Sequence, residues 1–220
     1  MSIARNVLLL TLALGAAPAF AQQDVSKVLG GIDADAGQTY GDLNTVNGGI
    51  DIGAGATTGD ATTVNGGIDV ADKARTGDLT TVNGGVELGR DVSVDGDITT
   101  VNGSIFVDRG GKVEGDVSNV NGGIGLVATE VGGGLRTVTG DITVGVDSHV
   151  KGGIRIEKNK SSVRFEAKRD PRIVIGPNAV VEGALVFERP VVLYVHRTAK
   201  IGPVTGATAK TFDTPTAPKD

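Results

Sequence analysis

"GDLTTVNGGVEL", residues 77–88, has close copies on both sides: "GDATTVNGGIDV" at 59–70 and "GDITTVNGSIFV" at 96–107. Asn-Gly pairs fall at 47, 65, 83, 102 and 121, and Gly-Asp pairs at 41, 59, 77, 96, 115 and 140. The Asn-Gly spacings are 18, 18, 19 and 19. A period near 20 marks a solenoid, whose repeats each need a neighbour to bury their apolar side. A degenerate copy begins at Asp24, with Leu29 where later copies carry Asn.

Each copy divides into three pieces of six residues, as in "GDATTV", "NGGIDV" and "ADKART". Six extended residues make one short strand and a corner, and three such sides close a triangular coil. Stacked coils about 4.8 Å apart pair their backbone groups with the coils above and below. Asn-Gly and Gly-Gly in nearly every copy exclude a helical repeat. The expected fold is therefore all-β: a parallel β-helix solenoid with triangular coils of about 18–19 residues.

The apolar columns fix which side chains point inward. Ile50, Ile68, Val86, Ile105 and Ile124 share one phase, and Ile52, Val70, Leu88, Val107 and Leu126 share another two residues on. Period-two alternation puts both columns inside and the residue between them outside. Leu43, Ala61, Leu79, Ile98 and Val117 fill a third inner column. A narrow interior of this kind takes aliphatic side chains, which accounts for 3% aromatic residues and no Trp. Asn47, Asn65, Asn83, Asn102 and Asn121 are expected to form a ladder along one corner.

The ends read differently. Arg5, the apolar run "VLLLTLALGAA" and "AFA" at 19–21 have the pattern of a signal peptide over 1–21, with the mature chain starting at Gln22. Export places the protein in the periplasm or at the cell surface of a bacterium, with no transmembrane span after signal removal. With no cysteine, an exported chain draws no rigidity from disulfides. The solenoid is expected over 22–205, regular over 23–127 and irregular over 128–205. "ATEVGGGLRTVT" (128–139) is expected to lengthen one coil by about six residues. Downstream, "GDITVGVDSHVKGGIRI" brings the landmarks back with Lys151 in place of Asn. The tail, 206–220, reads as disordered.

"IVIGPNAVVEGALVFE", the later "AKIGPVTG" and the "V..G.I" texture of the earlier coils resemble the bactofilins and related polymer-forming β-helical proteins. The resemblance covers residues 95–205, in pattern more than identity. It implies a right-handed β-helix that assembles end to end and uses no cofactor. Bactofilins are usually cytoplasmic, and the signal-like N-terminus departs from that pattern.

Several surfaces are candidate sites. Asp42, Asp60, Asp78, Asp97 and Asp116, with Asp24 before and Asp141 after, should stack; such a column either binds Ca²⁺ or bonds backbone amides at its corner. Asp33, Asp51, Asp69 and Glu87 form a second acidic column that faces out and ends at Phe106, a candidate contact residue. Thr63, Thr81 and Thr100 are candidates for a flat threonine face of the ice-binding kind. Adjacent threonines, however, point to opposite sides of a strand. His149 and His196 are the only histidines, too few for a three-His metal site. No nucleophile–base motif stands out, so neither acyl transfer nor polysaccharide cleavage is expected, and the chain is read as a non-enzyme.

Charge separates along the chain. Residues 22–150 carry 7 Lys+Arg against 19 Asp+Glu, a net of −12, and residues 151–220 carry 13 against 7, a net of +6. A solenoid turns sequence order into axial position, giving an acidic and a basic end. The expected partners are a second copy stacked end to end or a component of the cell envelope, and no nucleic acid. The alternative reading is a carbohydrate- or cation-binding surface.

Overall fold

The computed structural model describes residues 22–158 and 169–218. The signal-peptide expectation, 1–21, lies outside the described residues. The chain winds through about nine turns and lays down three parallel sheets. The first has ten strands, from Val25–Leu29 to Val204–Thr205. The second has ten, from Ile32–Ala34 to Ala209–Phe212. The third has seven, from Arg75–Thr76 to Lys200–Ile201.

Each side of the triangle follows from its residues. In the first sheet five-residue strands such as Ala61–Asn65 alternate in and out, with Ala61 and Thr63 buried. In the second, three-residue strands such as Ile68–Val70 put two aliphatic side chains inside and one charge outside. The three inner columns read from the sequence are buried from Ile50 to Leu126. Ile50, Ile68 and Val86 lie opposite one another in register.

The three corners make different demands. After the first sheet comes Asn-Gly-Gly, where the coils approach most closely: a Cβ on Gly84 would lie 1.9 Å from the Gly66 carbonyl oxygen. After the second sheet one residue per coil is left-handed. Gly37, Gly55 and Gly110 meet this readily, while Lys73, Asp91, Ala128, Asp147 and Asn178 hold φ between 44 and 62°. Before the first sheet comes Gly-Asp, whose carboxylate reaches the next coil.

The structure departs from the sequence reading in four places. The segment 128–139 adds no length: Leu135 pairs with Val117, 18 residues on, and Ile142 with Ile124, also 18 residues on. Gly133 and Gly134 occupy the Gly-Asp corner, and Gly140 and Asp141 occupy the Gly-Gly corner. Asp141 therefore leaves the aspartate column, and Lys151 follows Val150 on the third sheet, away from the Asn column. Both corners accept the text Gly-x-aliphatic, which is why the landmarks changed corner unnoticed.

The long coil lies later. Ile154 pairs with Leu185 and Ile142 with Ile173, each 31 residues on, and the excess falls between Ile156 and Arg172. The tail is also not wholly disordered. Ala209–Phe212 pairs with Val192–His196, and Phe212 is buried against Val174 and Tyr194 with Ala217 packed on them. Aromatic area drives this, since a strand ending in Phe has a ring to hide.

The fourth departure concerns the threonines. Thr63, Thr81 and Thr100 point inward and are buried; the outward neighbours are Thr62, Thr80 and Thr99. A buried hydroxyl needs a partner. Thr63, Thr81 and Thr100 donate to the carbonyls of Gly48, Gly66 and Gly84 in the preceding coil, at 2.8, 2.8 and 2.9 Å.

Candidate functional site

Two ladders run along the corners of the rod. Nδ2 of Asn65, Asn83, Asn102 and Asn121 donates to Oδ1 of the Asn one coil earlier, at 2.9–3.0 Å. Thr139 Oγ1 donates to Asn121 Oδ1 at 2.8 Å and finishes the ladder. The expected column from Asn47 to Asn121 is thus a continuous chain of side-chain amides.

The aspartates form the second ladder. Oδ1 of Asp24, Asp42, Asp60, Asp78 and Asp97 accepts the backbone N–H of the Asp in the following coil, at 2.7–3.0 Å. Asp116 accepts the Gly134 N–H at 2.7 Å and pairs through Oδ2 with Arg136 at 2.6 Å. Of the two chemistries open to this column, backbone bonding is the one in place. No group of three or more His, Cys, Asp or Glu is arranged to hold a metal among the described residues. Asp141 sits apart in an ion pair with Arg169. Burial alone would raise its pKa, but the Arg169 guanidinium and the Arg172 backbone N–H together hold it below the usual carboxylate range.

The second acidic column faces a hollow. Asp33, Asp51, Asp69 and Glu87 stand in register at the outward position of the second sheet. With Asp35 and Asp108 at the edge they line a shallow groove of about 660 Å³. Phe106 is next in the column and is 38% exposed. Gly125 follows it, and a Cβ there would lie 3.3 Å from the Phe106 ring, so the glycine leaves room for the ring to lie along the face. Burial, then the charges of Asp69 and Asp33, push the Asp51 carboxyl above its ordinary value; burial, then Glu87, does the same for Asp69.

These raised values fix a sign. Between the ordinary value of 3.8 and the raised one, the folded chain holds more protons than the unfolded chain. Stability therefore falls as pH rises through that window, and the penalty is complete above it. Asp51→Asn is expected to raise the urea midpoint at pH 7 and to leave it unchanged well below pH 3.8. Equal midpoints at pH 7 would show that the stacked charges do not strain the fold.

At the other end the same face is cationic. Thr143, Val174, Tyr194 and Lys210 continue the column. Arg172 and Lys210 lie over the Tyr194 ring, at 5.0 and 5.4 Å from its centroid. The sequence reading missed this cluster because its residues are 16 to 38 positions apart and the 31-residue coil hides the register. The two histidines serve separate contacts, His149 with Glu182 at 2.6 Å and His196 with Thr198 at 2.9 Å.

The acid end of the rod carries two residues that were also missed. Lys27 stands one coil before Thr45 at an inward position and donates from Nζ to the Gly31 carbonyl at 2.6 Å. Tyr40, one coil before Thr58, packs against the core, and its hydroxyl accepts the Asp35 N–H at 3.0 Å. A break in the inner columns was the signal available for both.

No helix among the described residues is long and apolar enough to cross a membrane. No family model, curated protein or solved structure matches the chain.

Proposed function

We propose that this protein is an exported structural rod, a scaffold or self-assembling protomer of the bacterial cell envelope, and not an enzyme. The observation that supports this best is the coil-to-coil locking. Besides the backbone ladders, neighbouring coils are joined by amide, carboxylate and buried hydroxyl ladders. Such bonds repeat along the axis and tie each coil to the next at two of the three corners. The bactofilin-like text of residues 95–205 and the signal-like residues 1–21 agree with an assembling, exported protein.

End-to-end stacking is the assembly that the axial charge favours. An acidic end meeting a basic end is a heterologous contact, which grows open-ended polymers. Lys27 and Tyr40 place polar atoms at the acid end beside the exposed Val28 and Leu29, and the axial charge makes the attraction between ends salt-sensitive. Association is expected to weaken between roughly 20 and 500 mM NaCl, as the Debye length falls from about 20 Å to about 4 Å. Sedimentation of the chain from Gln22 onward measures this. A single monomeric species at low salt and tens of micromolar would refute assembly, and polymers indifferent to salt would refute its electrostatic basis.

The acidic groove favours a second reading, a surface that captures cations or a cationic glycan. Calcium titration and a glycan array separate it from a scaffold.

A further inference from the structure

The geometry points to an antiparallel pairing of two copies through the outer face of the second sheet, each acidic groove receiving the cationic end of the other. This deepens the self-association proposed above and rests on that reading, but uses the side of the rod in place of its ends.

The face is self-complementary about its centre. Its ten strands have their midpoint between Ile105–Val107 and Ile124–Leu126. A two-fold axis there, running parallel to the strands and midway between the two facing sheets, lays the first strand of one copy over the tenth of the other. Asp33 then faces Lys210, and Asp51 faces Tyr194 with Arg172 and Lys210 over its ring. Asp69 faces the Phe212 and Ala217 packing that covers Val174, Glu87 faces Thr143, and the Phe106 ring, which lies over Gly125 of its own chain, meets the partner's Phe106 across the axis. No carboxylate in the column meets another. A parallel arrangement would stack the four carboxylates of each copy against their counterparts, and a shift of one strand would move Asp33 off Lys210 and part the two Phe106 rings.

Relief agrees with charge. The acidic half is hollowed by the 660 Å³ groove. The cationic half is built up where Phe212 and Ala217 pack on Val174 and Tyr194. Ten strands about 4.8 Å apart and about 10 Å wide bury on the order of 1,000 Å² in total, the lower end for a specific interface. Attraction must then come largely from charge, which makes the pair weak and salt-sensitive.

The chain has no cysteine, so introduced thiols report contacts without background. Chains carrying Glu87→Cys and Thr143→Cys are mixed and treated with a short bismaleimide, since packed sheets lie about 10 Å apart, beyond disulfide reach. The expected result is a covalent heterodimer at low salt, lost at 500 mM NaCl. Both positions are mid-rod, so end-to-end stacking does not bring them together. In sedimentation at about 100 μM, Asp51→Lys with Asp69→Lys is expected to weaken dimerisation more than tenfold, as is Lys210→Glu, and mixing the two variants to restore a dimer. Absence of the mid-rod crosslink at low salt, or a dimer unmoved by Asp51→Lys with Asp69→Lys, overturns the pairing. Salt-sensitive polymers without the crosslink would overturn it while leaving end-to-end assembly standing.

Discussion

Ile68→Asp is expected to abolish cooperative folding of the coils around it. Ile68 is fully buried between Ile50 and Val86, with aliphatic side chains of the other sides facing it across the narrow interior. A carboxylate there has no donor designed for it and must be protonated or drag in water. The loss is about 4–5 kcal/mol or more, most of the stability of an ordinary domain. The next residue supplies the control. Asp69 points outward into the groove, so Asp69→Ser is expected to leave the melting temperature nearly unchanged or to raise it slightly, since its carboxyl is already strained by burial and by Glu87. Circular dichroism melts of both variants make the comparison. Similar losses would mean that the inward and outward phases of the second sheet are assigned the wrong way round.

Gly84→Ala is expected to be nearly as damaging, although it adds one methyl group at a corner. The new Cβ would lie 1.9 Å from the Gly66 oxygen and 2.4 Å from its carbonyl carbon. That carbonyl cannot swing away cheaply, because it accepts the Thr81 hydroxyl at 2.8 Å. Two neighbouring coils must separate locally, at a cost of roughly 3–5 kcal/mol. Gly55→Ala is the matched comparison. Gly55 has φ of 66° but no atom within 4 Å of the added Cβ, so only left-handed backbone strain applies, about 1–2 kcal/mol. Urea midpoints of the two variants that differ little would show that close approach of coils is not what selects glycine at the Asn-Gly-Gly corner.

The regular coils were legible because their inner columns repeat without interruption. Ile50 through Leu126 carry the period in aliphatic residues alone, and one phase assignment places them all. The threonines were legible only in part. The sequence shows that neighbouring threonines oppose each other, but not that the inner one is satisfied by a glycine carbonyl 15 or 16 residues earlier. Beyond Leu126 the landmarks misled, since Gly-Asp-Ile at 140–142 spells one corner while occupying another. The acidic column from Asp33 to Glu87 was visible as outward charge. Its groove and its cationic counterpart around Tyr194 were not, because they depend on register across a coil of irregular length. Phe212 belongs to the same class: a strand four residues long, beyond Pro203, gives no periodicity to read.

The asparagine ladder gives the rod an electrical direction. Each Nδ2–H from Asn65 to Asn121 points toward the N-terminal end, and each Oδ1 from Asn47 to Asn121 accepts from the coil beyond. Aligned amides sum to a macroscopic dipole, as peptide units do in an α-helix, with the positive pole at the N–H end. Hydrogen-bonded amides in series also polarise one another. The positive pole therefore lies toward Asp24, Asp33 and Asp42, and the negative pole toward Arg136 and Arg155, so each pole lies beside fixed charge of the opposite sign. Exchanging the signs of the two halves would preserve the net charge and every apolar column, yet set each charge against the nearer pole.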